Sequence, residues 1–149
     1  MLRQRGYSVA VIKHDTHGFD MDHQGTDTWG HREAGASGIA ISNHGRTERM
    51  EERGSELPDL IASFADYDYI FIEGFKNDGY PKFVLIHEAE DLQLLHELSN
   101  VSAAAIWPGT SNETSPLGAD EIEYFDINDT AGIANYLCRE RSYYQNFTI

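Results

Sequence analysis

The sequence has little cysteine and no long apolar run. Cys138 is the only cysteine among 149 residues, so the chain forms no internal disulfide and supplies no cysteine-rich zinc site. No stretch approaches the roughly 20 apolar residues of a membrane-spanning helix, and residues 1–5 lack the apolar core of a signal peptide. These absences predict a cytoplasmic protein with no membrane partner.

Basic residues are also scarce. The sequence contains 11 Lys and Arg against 25 Asp and Glu, which gives a formal charge of −14. A general nucleic-acid binder needs a basic face, and an anionic membrane repels an acidic chain, so the charge argues against both functions. The apolar fraction of 40% and the chain length are typical of one folded domain, predicted to span residues 1–149.

Short β-branched segments alternate with helix-like segments along the chain. Residues 7–12 are short and apolar, which predicts a strand buried on both faces. Residues 2–6 are typical of the last turn of a helix that stops at Gly6, and residues 46–56 are predicted to be charged and exposed. Further strands are predicted at 38–42, 67–73, 83–86, 101–106 and 123–127, and further helices at 27–36, 57–64, 92–98 and 130–143. This order predicts an α/β fold with a mostly parallel sheet.

Polar residues cluster at the ends of two predicted strands. Lys13, His14 and Asp15 follow the first strand, and Glu73-Gly74-Phe75-Lys76 ends the strand at 67–73. Ligands of open α/β sheets bind beyond the carboxyl ends of the strands, and Mg²⁺ takes one or two carboxylates with waters and phosphate oxygens. The pattern therefore predicts a phosphate and Mg²⁺ site with Asp15 and Glu73 as the metal ligands. The alternative is that each lysine pairs with an acid at the rim for solubility.

Histidines form a second candidate cluster. His14, His17 and His31 occur close together in the sequence among several aspartates, and histidine with carboxylate is a ligand set for zinc or iron. This pattern gives a second functional hypothesis, a metal-dependent hydrolase that uses His14, His17 and His31 with Asp15, in which bound zinc lowers the pKa of an attacking water. No HExxH spacing is present, so a merely solvated loop is the competing interpretation.

Several of these segments together resemble one known family. Their order matches the molybdopterin-guanine dinucleotide biosynthesis accessory protein (MobB) family over about the first 90 residues. The segments that carry the resemblance are Ile12-Lys13-His14-Asp15-Thr16-His17-Gly18-Phe19, Met21-Asp22, Gly25-Thr26-Asp27-Thr28-Trp29, His31-Arg32-Glu33-Ala34-Gly35-Ala36, Ile72-Glu73-Gly74-Phe75-Lys76 and Pro81-Lys82.

The resemblance implies a P-loop NTPase-like three-layer fold and a GTP-binding accessory role in molybdenum cofactor biosynthesis. It implies GTP and Mg²⁺ as cofactors, and at most slow GTP hydrolysis. It also implies a homodimer that acts beside a guanylyltransferase and molybdopterin-handling proteins. Under the resemblance, the residues that bind nucleotide or cofactor are Lys13, His14, Asp15, Asp27, Arg32, Glu73, Gly74 and Lys76.

The sequence departs from the family pattern at the phosphate-binding loop. The family carries an N-terminal Gly-x-x-x-x-Gly-Lys-Ser/Thr segment, whereas no Gly-Lys pair occurs anywhere in this sequence. Backbone N–H groups of that loop form the phosphate cradle, so we expect an N-terminally truncated form of the fold with impaired nucleotide binding. Gly30 also stands where many relatives carry a basic residue.

Overall fold

The computed structural model describes residues 1–110 and 122–147. A 3-10 turn over Arg3–Arg5 precedes the first strand, and Gly6 ends it with a φ of 90°. Within these ranges the strands are β1 (Val9–Lys13), β2 (Gly38–Ser42), β3 (Thr47–Glu51), β4 (Tyr69–Glu73), β5 (Lys82–Ile86), β6 (Val101–Ile106) and β7 (Glu123–Asp126). The α-helices are α1 (Asp27–Glu33), α2 (Leu57–Ser63), α3 (Leu94–Glu97), α4 (Thr130–Arg139) and α5 (Arg141–Gln145), and Ala89–Gln93 is a second 3-10 segment. None of the helices in the described ranges has the length and apolar character needed to cross a membrane.

Strands β1 and β4 form a parallel pair that one helix covers on one face. Ala10 and Ile12 of β1 are buried, and Ile12 packs with Leu57 and Ile61 of α2. Val11 lies on the opposite face and remains 61% exposed. The prediction that the first strand is buried on both faces is therefore wrong, because the second face is covered only near its start, where α4 lies against Tyr69.

Strands β5, β6 and β7 form a second parallel sheet, with β6 in the centre. Val84, Ile86 and Ala104 point toward the Ala89–Gln93 segment and α3, whose leucines cover them. Successive residues of a strand face opposite sides, so Phe83 lies on the other face, where its ring is 6.0 Å from that of Tyr136 in α4. This sheet therefore lies between helices on its two faces, as a three-layer fold requires.

Helix α4 connects the two parallel sheets. The Tyr69 hydroxyl of β4 donates to the Leu137 carbonyl at 3.3 Å, and the Tyr136 hydroxyl donates to the Ser102 carbonyl of β6 at 2.8 Å. Ala134 is buried against Tyr69 in the same contact region. Among the described strands, the two parallel sheets share no hydrogen-bonded strand pair, so α4 provides the packing between them.

The remaining strands form an antiparallel hairpin that the sequence did not reveal. β2 pairs with β3, for which no strand was predicted, although residues 46–56 are mostly exposed as expected. Most hairpin residues are exposed, so the alternating apolar signal of a half-buried strand is missing. The predicted C-terminal helix is likewise divided at Glu140 into α4 and α5.

Candidate functional site

The ends of β1 and β4 meet at one edge of their sheet. Lys13 lies opposite Glu73 in the parallel register, and the backbone N–H of His14 donates to the Glu73 carbonyl at 2.9 Å. Because β1 and β4 are parallel neighbours, their carboxyl ends lie at the same edge of the sheet. The structure therefore brings together the two polar clusters that the sequence places after these strands.

Lys13 and Glu73 form an ion pair at this edge. Their Nζ and Oε1 atoms are 2.8 Å apart, and the side chains are 60% and 65% exposed. The hydrogen bond to Glu73 and the attraction of its charge raise the pKa of Lys13 above its ordinary value. An ion pair this exposed adds little stability, because water screens it, so either partner is available to a competing ligand.

Gly74 allows the chain after β4 to pass close to β1. Its φ is +89°, and a Cβ atom at this position would lie 2.9 Å from the Cβ of His14. Phe75 follows with a φ of +50°, which is unusual for a bulky side chain, and its ring centroid lies 4.6 Å from that of His14. Because Phe75 also packs against the Ile12 cluster, this turn has a fixed position between the core and the edge.

Two further polar residues follow the strand ends: Asp15 is the second residue after β1, and Lys76 comes directly after the Gly74–Phe75 turn that follows β4. Lys76 is exposed and forms no ion pair within residues 1–110 and 122–147. Asp15 is also exposed, and its Oδ1 accepts the backbone N–H of His17 at 2.8 Å in a local turn. The chain segments that directly follow β1 and β4 therefore carry Asp15 and Lys76, which water can reach, beside the exposed Lys13–Glu73 pair.

Arg32 of α1 is already engaged with protein groups. Its guanidinium donates to both carboxylate oxygens of Asp20 at 2.9 and 3.3 Å, and its Nε lies 2.9 Å from Glu52. The guanidinium also lies 5.2 Å from the centre of the Trp29 ring. The hydrogen bond from Arg32 lowers the pKa of Asp20, and the same contact raises the pKa of Arg32. Arg32 thus connects α1 to the loop after β1 and to the chain after β3.

Asp22 anchors the same loop from within. Its Oδ1 accepts the His23 backbone N–H at 2.9 Å and the hydroxyls of Thr26 and Thr28 at 2.9 and 3.0 Å. Its side chain is only 7% exposed, and its Oδ2 lies 4.0 Å from Arg32 without a hydrogen bond. Burial acts to raise the pKa of Asp22, but these hydrogen bonds outweigh it and hold the pKa below the ordinary value.

Sequence reasoning placed Arg32 at the site but missed the groups that hold it. Asp20, Asp22 and Glu52 were not predicted as its partners. The Asp-x-Asp spacing in a loop before a helix was the available signal for two of them, whereas Glu52 is distant in sequence. Asp27, the other predicted binding residue on α1, is exposed at the first position of the helix, where Thr26 accepts the Trp29 N–H as the cap.

The histidine-based metal site is not supported. Within the parts of the chain that the structure describes, no group of three or more His, Cys, Asp or Glu is positioned to hold a metal ion. His14 instead contacts the Phe75 ring, and His31 lies on α1. Closeness in sequence misled the hydrolase prediction, because the loop separates His14 and His17 from the helix that carries His31.

The Lys82 side chain is held by backbone carbonyl groups. Its ammonium donates to the backbone carbonyls of Asp78, Tyr80 and Ser99 at 2.5, 3.0 and 3.0 Å. Burial lowers its pKa from the ordinary value. The third lysine of the chain therefore ties two loops at the start of β5 and does not belong to the polar edge.

Comparison with known proteins identifies the family. The family model described as "Molybdopterin guanine dinucleotide synthesis protein B", MobB, matches residues 1–107. A molybdopterin-guanine dinucleotide biosynthesis adapter protein of Haemophilus influenzae is 31% identical over 91% of this chain and 74% of its own length. The Escherichia coli protein of the same name is 30% identical over 91% of this chain and 78% of its own length.

Solved structures agree with this assignment. A MobB protein homolog from Bacillus stearothermophilus has a TM-score of 0.69 at 23% identity, over 95% of this chain and 83% of the other. Bacillus subtilis MobB has a TM-score of 0.68 at 25% identity, over 92% of this chain and 81% of the other. The expected α/β fold of the P-loop NTPase type, with mostly parallel strands between helical layers, is therefore confirmed, and the chain belongs to the MobB family.

Proposed function

We propose that this chain is an adapter in the biosynthesis of molybdopterin guanine dinucleotide. In this role it assists a molybdenum cofactor guanylyltransferase and contacts molybdopterin-handling proteins. The observation that carries the proposal is the family match over residues 1–107, together with relatives that are named as adapters of this pathway. In this proposal the chain catalyses at most slow GTP hydrolysis.

The polar edge of β1 and β4 is the proposed binding surface for the anionic groups of the cofactor. Lys76 is an exposed cation without an ion pair in the described residues, and Lys13 holds Glu73 only through an exposed pair. In a chain of net charge −14, cations grouped at a strand end favour a phosphate-bearing ligand. Molybdopterin and the guanine nucleotide both carry such groups. His14 and Gly74, both exposed, border the same surface.

Mg²⁺ fits the donors at this edge. Asp15 and Glu73 supply two exposed carboxylates, and Mg²⁺ in proteins takes one or two carboxylates and completes its shell with water and phosphate oxygens. When bound, the ion neutralises phosphate charge. GTP itself binds weakly in this proposal, because the sequence has no Gly-Lys loop to form a cradle of backbone N–H groups.

Arg32 and Asp27 have a secondary part in this proposal. The Arg32 side chain is 22% exposed and bonded to Asp20 and Glu52, so it meets a ligand phosphate only by exchanging one of these partners. Asp27, exposed at the first position of α1, is the other residue of this helix that contacts the ligand in the proposal.

Self-association into a homodimer completes the proposal. Val11, Phe71 and Leu85 are 61%, 37% and 53% exposed on strands of the parallel sheets. Apolar side chains on sheet faces favour association with another surface, and salt screens the repulsion between two acidic chains.

Binding of molybdopterin to single-lysine variants tests the proposed surface. Lys76→Ala removes a cation from the edge, and loss of a charge-assisted hydrogen bond is expected to weaken binding roughly 10- to 100-fold. Arg53→Ala is the matched control, because Arg53 is an exposed cation on the chain after β3 and pairs with Glu51 at 2.6 Å. Equal affinity of the two variants, measured by anaerobic fluorescence titration, would contradict the proposed surface.

A further inference from the structure

The loop between β1 and α1 exposes two large apolar side chains. Phe19 is 76% exposed and Met21 is 80% exposed, the highest values among the large hydrophobic residues that the structure describes. Single exposed apolar residues are common on protein surfaces, whereas two such residues in one short segment indicate an interaction site.

These side chains point outward because their neighbours are fixed on the inner side of the loop. Asp20 is bonded to Arg32 by two hydrogen bonds, and Asp22 accepts from Thr26 and Thr28. Each apolar residue therefore adjoins an anchored aspartate in the sequence. The anchoring holds the backbone of the loop with Phe19 and Met21 in water, so less backbone entropy is lost when a partner covers them.

The charge of the loop selects the kind of partner. Residues 14–27 contain four aspartates, Asp15, Asp20, Asp22 and Asp27, and no lysine or arginine. Arg32 neutralises only part of this charge. A second copy of this acidic chain, or an anionic membrane, meets like charge at this surface, whereas a protein with basic residues around an apolar pocket meets opposite charge.

We propose that Phe19 and Met21 are the anchor through which this chain docks into an apolar pocket, rimmed by Lys and Arg, on a protein partner. The inference rests on the proposed function, under which that partner is the guanylyltransferase. The loop begins at His14, whose N–H is bonded to Glu73, so docking places the partner directly beside the polar edge. Hand-over of a ligand between the two proteins requires this closeness.

Binding of the full chain to the guanylyltransferase of the same organism tests the anchor. The variant Phe19→Ser/Met21→Ser removes both apolar side chains, and titration calorimetry at low and moderate salt measures its affinity. We expect binding at least about 30-fold weaker than wild type, with an unchanged unfolding temperature, because neither residue is buried. Ile41→Ser is the matched control, since Ile41 is 56% exposed on β2, and we expect it to bind within about twofold of wild type. We also expect wild-type affinity to fall as salt increases.

The possible failures can be told apart. Wild-type affinity in the double variant would overturn the anchor and leave the adapter function standing. Absence of any binding by the wild-type chain would overturn the adapter function with it. Conversion of a wild-type dimer into a monomer by the double variant, seen by light scattering, would also overturn the inference, because a second copy would then be the occupant.

Discussion

Replacement of Gly74 by alanine should destabilise the chain through two separate effects. The φ of +89° disfavours any residue with a Cβ atom by about 1 kcal/mol or slightly more. The new Cβ would also lie 2.9 Å from the Cβ of His14 and 3.4 Å from its carbonyl oxygen, which forces the β1 and β4 ends apart. Overpacking of this kind costs about 1–3 kcal/mol, so the expected total is roughly 2–4 kcal/mol.

Two other glycines separate these effects. Gly6 has a φ of +90°, and no atom lies within 4 Å of the position that a Cβ would occupy, so Gly6→Ala carries the backbone cost alone, about 1 kcal/mol. Gly79 has neither a positive φ nor a close atom, so Gly79→Ala should change stability by less than about 0.5 kcal/mol.

Thermal unfolding followed by circular dichroism measures the difference. For 149 residues, an unfolding entropy near 2.1 cal/mol/K per residue converts 1 kcal/mol to roughly 3 °C. Gly74→Ala should therefore lower Tm by roughly 6–12 °C, and Gly6→Ala by roughly 3 °C. A Tm for Gly74→Ala no lower than that of Gly6→Ala would refute the close approach of the strand-end turn to His14.

Three further predictions concern nucleotide binding, the core and pH. Calorimetry with Mg²⁺ and GTP should give a dissociation constant weaker than ~1 mM for the chain as printed, and a micromolar value would mean that another loop supplies the phosphate contacts. Ile86→Ala should destabilise by about 2–5 kcal/mol in urea denaturation, because Ile86 is 0% exposed; a loss below about 1 kcal/mol would contradict the packing of α3 on β5. The pKa of Asp20 is lowered from 3.8 by Arg32, so the stability that it contributes is present above 3.8 and lost as pH falls through the folded-state pKa. Urea midpoints at a series of pH values should therefore fall more steeply below pH ~4 for wild type than for Asp20→Asn, and identical profiles would exclude the Asp20–Arg32 contact.

Much of the fold followed from local patterns. β2 and β6 begin and end at the predicted residues, and the parallel pairing of β1 with β4 explains why polar residues follow both strands. Parallel pairing also made the shared edge predictable, since neighbouring parallel strands end on the same side. The prediction that the first strand is buried on both faces was wrong. Val11 is exposed, which shows that a continuous apolar run does not guarantee that both faces of a strand are covered.

The candidate site was predictable only where it depends on strand ends. Lys13 and Glu73 were placed correctly at one edge, because the carboxyl ends of neighbouring parallel strands lie on the same side of the sheet. The Arg32 contacts depend instead on tertiary structure, because Asp20 lies twelve residues before Arg32 and Glu52 lies on the chain after β3. No periodic pattern in the sequence predicts such contacts. The same limit applies to Phe75, whose positive φ and packing against the Ile12 cluster have no local signature in the sequence.

Stimulation of a reconstituted synthesis tests the adapter role most directly. Purified guanylyltransferase, molybdopterin, GTP and Mg²⁺ are incubated with and without this chain, and the molybdopterin guanine dinucleotide formed is measured over time. We expect a faster or more complete reaction in the presence of the wild-type chain, and a smaller gain with Lys76→Ala than with the control Arg53→Ala. Equal product formation with and without the chain, at every ratio of chain to enzyme, would contradict the adapter role.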